Sequence, residues 1–286
     1  MRNLTIVSVF LVGLGACGGS SGILGVIDLT PAPDYIDLDE RTSGGNSILG
    51  GKALIVGATS TSSIVIRNLS GTLTHDNSYA LTGFTDGSSV LTDLDGATDG
   101  AWTDGTTKVS VNSSLFAGDY NFSGGFEILN NANGSGPMIV GVLTKPESIP
   151  MNGTATFSGD GFIEGSILGG GGTSISSTGI STITANFGAG ANVSATLDGL
   201  ITPSFDRIII SNMTISNDGT SFEGGNLSIF NGDEVVTADV MGSSQLFENQ
   251  GNFFGGNTVG TEPAEAGGVF VMSGSDANIA GGYLGK

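Results

Sequence analysis

Few side chains in this sequence can do chemistry, and their neighbours restrict each of them. His75 is the only histidine, so a nucleophile–His–acid triad would have to be built on the turn-like stretch Leu73-Thr74-His75-Asp76-Asn77. A zinc site made from several His or Cys ligands is excluded by count. Asp93, Asp95 and Asp99 are spaced closely enough to suggest a calcium loop. An EF-hand, however, wants an oxygen ligand where Ala97 stands and a bidentate Glu at its end, and the segment has neither. Successive Asp-Gly turns explain it instead. Gly169-Gly170-Gly171-Gly172-Thr173-Ser174 lacks the Lys of a phosphate-binding loop and reads as a hairpin tip. Tyr79, Tyr120 and His75 are the side chains that could grip a haem iron, with no spacing that selects them. Nothing singles out a pair among the 27 acids for glycoside hydrolysis. The chain is therefore read as a non-enzyme with no resident cofactor and no metal site. Trp102, the single tryptophan, stands in Gly100-Ala101-Trp102-Thr103-Asp104-Gly105. Two readings of it stand: a hot spot on a ligand-binding face, or a side chain packed over an acidic loop. It is the one candidate ligand-binding residue.

Cys17 is also alone, so it has no partner for a disulfide. It follows a short cationic head, Met1-Arg2-Asn3, and an apolar run from Leu4 to Leu14. That run is shorter than the roughly 20 residues a membrane span needs, and it suits the hydrophobic region of a signal peptide. Leu14-Gly15-Ala16-Cys17 resembles the lipobox of bacterial lipoproteins; the other reading is an ordinary secretory signal with an incidental Cys. The resemblance implies cleavage before Cys17, two acyl chains on its sulfur and a third on the new amine. Two or more chains anchor a protein stably. Gly18 is not the aspartate that retains lipoproteins at the inner membrane, so the resemblance implies the outer membrane.

Positioning these residues falls to a chain in which Gly, Ser and Thr exceed a third of the residues, with 50 glycines and only 12% charged residues. Such a composition excludes coiled coils, and the glycines keep no third-residue period, which excludes collagen. A hydrophobic content of 38% supports a core. The net charge is −19 and the basic residues are scattered singly. Nucleic acid is thereby excluded as a partner, as is an anionic membrane bound through a basic patch. The acidity either keeps a charge-poor chain soluble or steers cationic partners.

Short alternating segments separated by Asp-Gly and Asn-Gly pairs predict antiparallel hairpins. The Asp-Gly pairs begin at Asp86, Asp95, Asp99, Asp104, Asp160, Asp198 and Asp218, and the Asn-Gly pairs at Asn133, Asn152 and Asn231. Strands are predicted at Ser63–Arg67, Gly118–Ser123, Thr154–Phe157, Ser181–Phe187, Asn192–Leu197, Arg207–Ile215, Ser221–Phe230, Glu234–Met241, Gln245–Phe254, Val269–Met272 and Asn278–Tyr283. The fold class is all-β: a C-terminal antiparallel β-barrel of about eight strands, preceded by a smaller β-rich handle-like region. The organisation read from texture is a signal peptide over 1–16, an acylated Cys with a flexible acidic tether over 17–51, the handle-like region over 52–149 and the barrel over 150–286.

Several pieces in the second half occur in a familiar order: Gly153-Thr154-Ala155-Thr156-Phe157-Ser158-Gly159, Phe187-Gly188-Ala189-Gly190, Phe253-Phe254-Gly255, Ala264-Glu265-Ala266-Gly267-Gly268-Val269-Phe270 and Ala280-Gly281-Gly282-Tyr283-Leu284-Gly285-Lys286. In these the chain resembles the β-barrel domain of transferrin-binding protein B and related surface lipoproteins, over about Pro150 to Lys286. Residues 256–263 make one loop longer than the family's, and residues 52–145 match no handle domain. Transferrin binding specifically is therefore not implied. The resemblance implies a surface-exposed, lipid-anchored protein with a protein or haem-type ligand and an outer-membrane transporter as partner. Phe253, Phe254, Phe270 and Tyr283 are expected to fill or cap the barrel. Gly267-Gly268 should mark a close backbone approach or a corner, and Glu265 should tie a loop by accepting backbone hydrogen bonds.

Two function classes follow. The first is a lipoprotein whose barrel module binds a macromolecule or nutrient carrier of the iron-carrier or haem type. The second is a structural or adhesive envelope lipoprotein without such a ligand. A folded 52–145 segment bearing an apolar patch would favour the first, and a repetitive solenoid the second.

Overall fold

The structure is a computed structural model describing residues 47–56, 64–73, 79–82, 90–92, 100–103, 108–114, 120, 123–131, 134–168, 172–243, 245–255 and 263–286. Before residue 136 it gives side chains only for Lys52, Tyr120 and Ser123. Cys17, His75 and Asp93 to Asp99 lie outside the described residues.

Eight strands form a first closed ring: β1 (Ser47–Val56), β2 (Ile64–Leu73), β3 (Tyr79–Thr82), β4 (Val90–Thr92), β5 (Gly100–Thr103), β6 (Lys108–Ser114), β7 (Ser123–Asn131) and β8 (Gly134–Val142). Each is antiparallel to the next, and β8 returns to β1 through pairs such as Lys52 with Ile139. The handle-like region is thus itself an up-and-down barrel, not a solenoid. Its first strand begins at Ser47, inside the stretch read as a tether.

The second ring comprises β9 (Gly153–Ile167), β10 (Thr173–Phe187), β11 (Asn192–Asp198), β12 (Arg207–Ile215), β13 (Ser221–Glu223), β14 (Asn226–Asn231), β15 (Glu234–Val235), β16 (Leu246–Phe254), β17 (Glu265–Ser273) and β18 (Ala277–Gly285). Its order is β11-β10-β9-β18-β17-β16-β13-β12, and the pairing of β12 with β11 closes eight strands into a barrel. β13 and β14 keep one register against β12 on either side of Gly224-Gly225. Closure gives each of the eight wall strands a partner on both sides.

Alternation explains the wall. Val193, Ala195 and Leu197 of β11 are fully buried, while the residues between them face outward. The interior is filled by Phe157, Phe187, Phe222, Phe253, Phe270 and Tyr283 together with aliphatic side chains from β9, β10, β11, β12, β17 and β18. Phe187, Phe222 and Phe157 surround Phe253 at centroid distances of 5.6, 5.1 and 6.3 Å, a spacing at which tilted rings attract.

Four readings are corrected. Glu234–Met241 is not one strand, because after β15 the chain forms a one-turn helix, α1 (Thr237–Met241). Val236 and Val240, four residues apart, both enter the core with Met241, so this turn plugs one end of the barrel. Asp160-Gly161 is not a turn but lies within β9, where a Cβ on Gly161 would stand 3.0 Å from the Leu197 side chain. Tyr120 lies outside a strand, since β7 begins only at Ser123. Phe254 faces out of the barrel, unlike Phe253, Phe270 and Tyr283, and joins a second cluster described next.

That second cluster contains Tyr120, Ile139, Phe162, Phe254, Val269, Val271, Ala280 and Leu284, with Leu143 against it. It is the outer wall of β9, β17 and β18 covered by β8 and the chain around it. β17 and β18 are consequently buried on both faces and read as near-continuous apolar runs. The connection out of β8 is hydrogen-bonded onto the end of β16: Thr144 N–H donates to Phe253 C=O at 3.0 Å and Gly255 N–H to Val142 C=O at 2.9 Å.

Candidate functional site

Two polar residues hold the seam between the rings. Glu265, buried at the start of β17, accepts the Ser123 hydroxyl at 2.6 Å. This contact ties β7 to β17 through a side-chain donor. The Tyr120 hydroxyl accepts the Asp160 N–H at 3.0 Å and lies 3.1 Å from Asp160 Oδ2 and 3.2 Å from the Leu284 carbonyl. Burial pushes its phenol well above the ordinary range, so it stays protonated and donates. Tyr120 is thus committed to structure rather than to a haem iron. Trp102 sits in strand β5 rather than in a loop, opposite Leu91 of β4 and Val109 of β6. Among the described residues, no group of three or more His, Cys, Asp or Glu is placed to hold a metal ion.

What stands out is one end of the second barrel, where Leu168, residues 199–206, residues 232–243 and residues 274–276 connect the strands around the α1 plug. Among the described residues, six large apolar side chains are exposed, and five of them, Leu168, Ile180, Ile201, Val235 and Leu246, are at this end. Ile201 is 86% exposed and Ile180 66%. The surroundings are acidic: Asp198, Asp206, Asp233, Glu234, Asp239 and Asp276 lie here, with Arg207 the one cation there among the described residues. Arg207 is engaged, with Nη2 donating to the Gly232 carbonyl at 2.8 Å and its guanidinium 4.7 Å from the Phe230 ring centre.

Ile180 belongs to a row that crosses three strands, Asp160 of β9, Ile180 of β10 and Asp198 of β11, all on the outer face. Beside it is a shallow depression of about 460 Å³ lined by Ile180, Thr182, Thr196, Asp198 and Gly199. Asp198 Oδ1 accepts the Gly199 N–H at 2.9 Å. The loop bearing Ile201 is pinned at several points. Ile201 N–H donates to Ser177 Oγ at 2.7 Å, Leu200 N–H to Asp206 C=O at 2.9 Å, and the Thr202 hydroxyl to Phe205 C=O at 2.6 Å. Phe205 itself is buried in the barrel.

Sequence reasoning missed this end. The available signal was the spacing of Ile180 and Ile183. Three residues apart, they cannot share a face of a strand, and since Ile183 is in phase with the buried Ser181 and Ala185, Ile180 must face outward.

No family model matches the chain, and no curated protein matches it by sequence. Solved structures do. A transferrin-binding protein B mutant from Haemophilus parasuis is 15% identical, with a TM-score of 0.49 over 84% of this chain and 45% of its own. Intact transferrin-binding protein B with both lobes is 16% identical, with a TM-score of 0.44 over 84% and 46%. The haemoglobin receptor HpuA from Kingella denitrificans, solved in complex with human haemoglobin, is 12% identical, with a TM-score of 0.38 over 85% of each chain. The chain spans a little under half the length of the transferrin-binding protein B chains it matches. Transferrin-binding protein B is also the protein whose barrel the pieces from Gly153 to Lys286 resemble.

Proposed function

We propose that this chain is an acylated lipoprotein of the outer membrane, facing the cell exterior, that binds a macromolecular or nutrient-carrier ligand with the outside of its second barrel. The observation that carries the reading is the clustering of exposed apolar side chains at one end of a barrel whose interior is filled by aromatic rings. A packed lumen directs binding to the surface, and clustered apolar exposure is the usual mark of an interaction site. The closed first ring is not the solenoid expected of a structural or adhesive chain, while the apolar patch expected of a binding one falls on side chains outside the described residues. The lipobox at Cys17 supplies the anchor, and the sequence resemblance supplies the ligand class, a protein or haem-type ligand.

The test has two arms. Labelling cells with radioactive palmitate should mark the wild-type chain and not Cys17→Ser; label on both would remove the anchor from the proposal. Immobilised full-length chain should then retain a protein ligand such as transferrin or haemoglobin, the ligands that the similar solved proteins are named for. Failure to retain any protein from serum or blood lysate would favour the structural reading.

A further inference from the structure

We infer that the depression between β10 and β11 is a docking point for the basic side chain, arginine or lysine, of a partner protein whose surface there is cationic and partly apolar. The inference rests on the binding reading above and narrows it to a place and a partner chemistry.

Four observations converge on it. First, Ile180 is exposed between two cross-strand carboxylates, Asp160 and Asp198. An aliphatic stem laid over Ile180 would bring a cationic head to Asp198, the arrangement long basic side chains adopt on mixed surfaces. Second, the remaining lining suits such a head. Lys and Arg carry donors only, while Thr182 and Thr196 offer hydroxyl oxygens and Asp198 a second carboxylate oxygen beyond the one that accepts Gly199 N–H. Third, the apolar part is held in place before any partner arrives, because Ile180 stands within β10, paired with Asp160 of β9 on one side and Asp198 of β11 on the other. Little ordering entropy is then lost on association.

Fourth, charge selects the occupant. The net charge is −19 and the six carboxylates at this end face one engaged guanidinium. A second copy of the chain would bring like charge to like charge, and so would a nucleic acid; a cationic protein surface gains from the same field. The depression is shallow and open, so a free amino acid would leave most of its own surface in water. A protein can cover Ile180 and the flanking Thr182 and Thr196 together.

The test uses the full-length chain and a labelled peptide of alternating leucine and arginine. Its leucine–glutamate counterpart and free arginine serve as comparisons. The arginine peptide should bind and the glutamate peptide should not. Ile180→Ser should weaken binding about tenfold, the loss of one buried aliphatic contact. Asp198→Asn should weaken it about threefold and flatten its dependence on salt. Thr156→Ala, on the outer face of β9 toward the other end, should bind as wild type. All three substitutions are at exposed positions, and unchanged melting curves verify the fold. Equal binding by Ile180→Ser, Asp198→Asn and wild type would overturn the docking point and leave the surface-binding reading standing. Absence of arginine-peptide binding to wild type would overturn the docking point, while the surface-binding reading falls only with failure to retain a protein ligand. Binding of free arginine as tight as that of the peptide would overturn the assignment to a protein partner.

Discussion

Tyr283 shows how one polar atom is carried inside an aromatic core. Its hydroxyl donates to Asn249 Oδ1 at 2.7 Å, and Asn249 Nδ2 lies 2.8 Å from the Met213 sulfur, so three strands share one small network. Burial pushes the phenol far above its ordinary range, leaving it a permanent donor. Tyr283→Phe keeps the ring and strands a buried acceptor, which costs about 1–3 kcal/mol. The urea midpoint should fall with the slope unchanged; an unmoved midpoint would contradict the network. A second residue acts at the surface. Asp218 accepts hydrogen bonds from the Ser216 hydroxyl and the Thr220 N–H in the β12–β13 turn, and these hold its carboxyl below the ordinary value of 3.8. A depressed carboxyl stabilises the fold above its unfolded value and loses that contribution as pH falls through the folded one. Hydrogen exchange of the Thr220 amide should therefore be more protected at pH 5 than near pH 2, when each is compared with its intrinsic rate at that pH. Equal protection would refute the turn's dependence on Asp218.

Among the elements, the second barrel repeats one device three times. Phe222 is directly opposite Gly251, Tyr283 opposite Gly268, and Phe270 opposite Gly281. In each pair the aromatic side chain lies over the glycine. A Cβ on Gly251 would stand 2.3 Å from the Phe222 ring, one on Gly281 2.5 Å from the Phe270 ring, and one on Gly268 2.7 Å from the Tyr283 hydroxyl. Large side chains thus fit a narrow lumen because the neighbouring strand carries none at the paired position, which accounts for part of the glycine content. Gly281→Ala should cost about 1–3 kcal/mol by overpacking and Phe270→Ala about 3–5 kcal/mol. The double variant should lose less than the sum of the two, because the pair is coupled; strict additivity in thermal melts would count against the device. Legibility follows the same physics. Asn192–Leu197 and Arg207–Ile215 could be read directly, because one wet face and one dry face leave a period of two in the sequence. β17 and β18 could be read only as apolar runs, since their second burial depends on the neighbouring ring. Asp160-Gly161 misled because glycine there answers to the close approach of Leu197, not to a turn. Residues 234–241 misled because a strand and a one-turn plug share the same few apolar residues.

At the scale of the molecule, the seam joins two barrels into one structure. Ser123 and Glu265, Tyr120 and Asp160, and Leu143 bridged to Phe254 link residues far apart in sequence across it. Ser123→Ala removes a hydroxyl donor from a buried carboxylate and should cost about 1.5–3 kcal/mol. The same change should lower the melting temperature of both barrels together, seen as one shifted calorimetric peak. Separation into two peaks, with only one moved, would contradict a shared seam. The proposed anchor and the proposed partner face lie at opposite extremes of legibility. Cys17 is announced by its local motif. The exposed end around Ile180 and Ile201 is assembled from four connections and emerges only once the barrel is closed. The central claim, an acylated chain displayed outside the cell with that end open to a partner, is tested most directly by protease treatment of intact cells followed by blotting for the chain. The predicted result is loss of the chain from intact cells while a periplasmic marker survives. Protection in intact cells, with loss only after the outer membrane is opened, would contradict it.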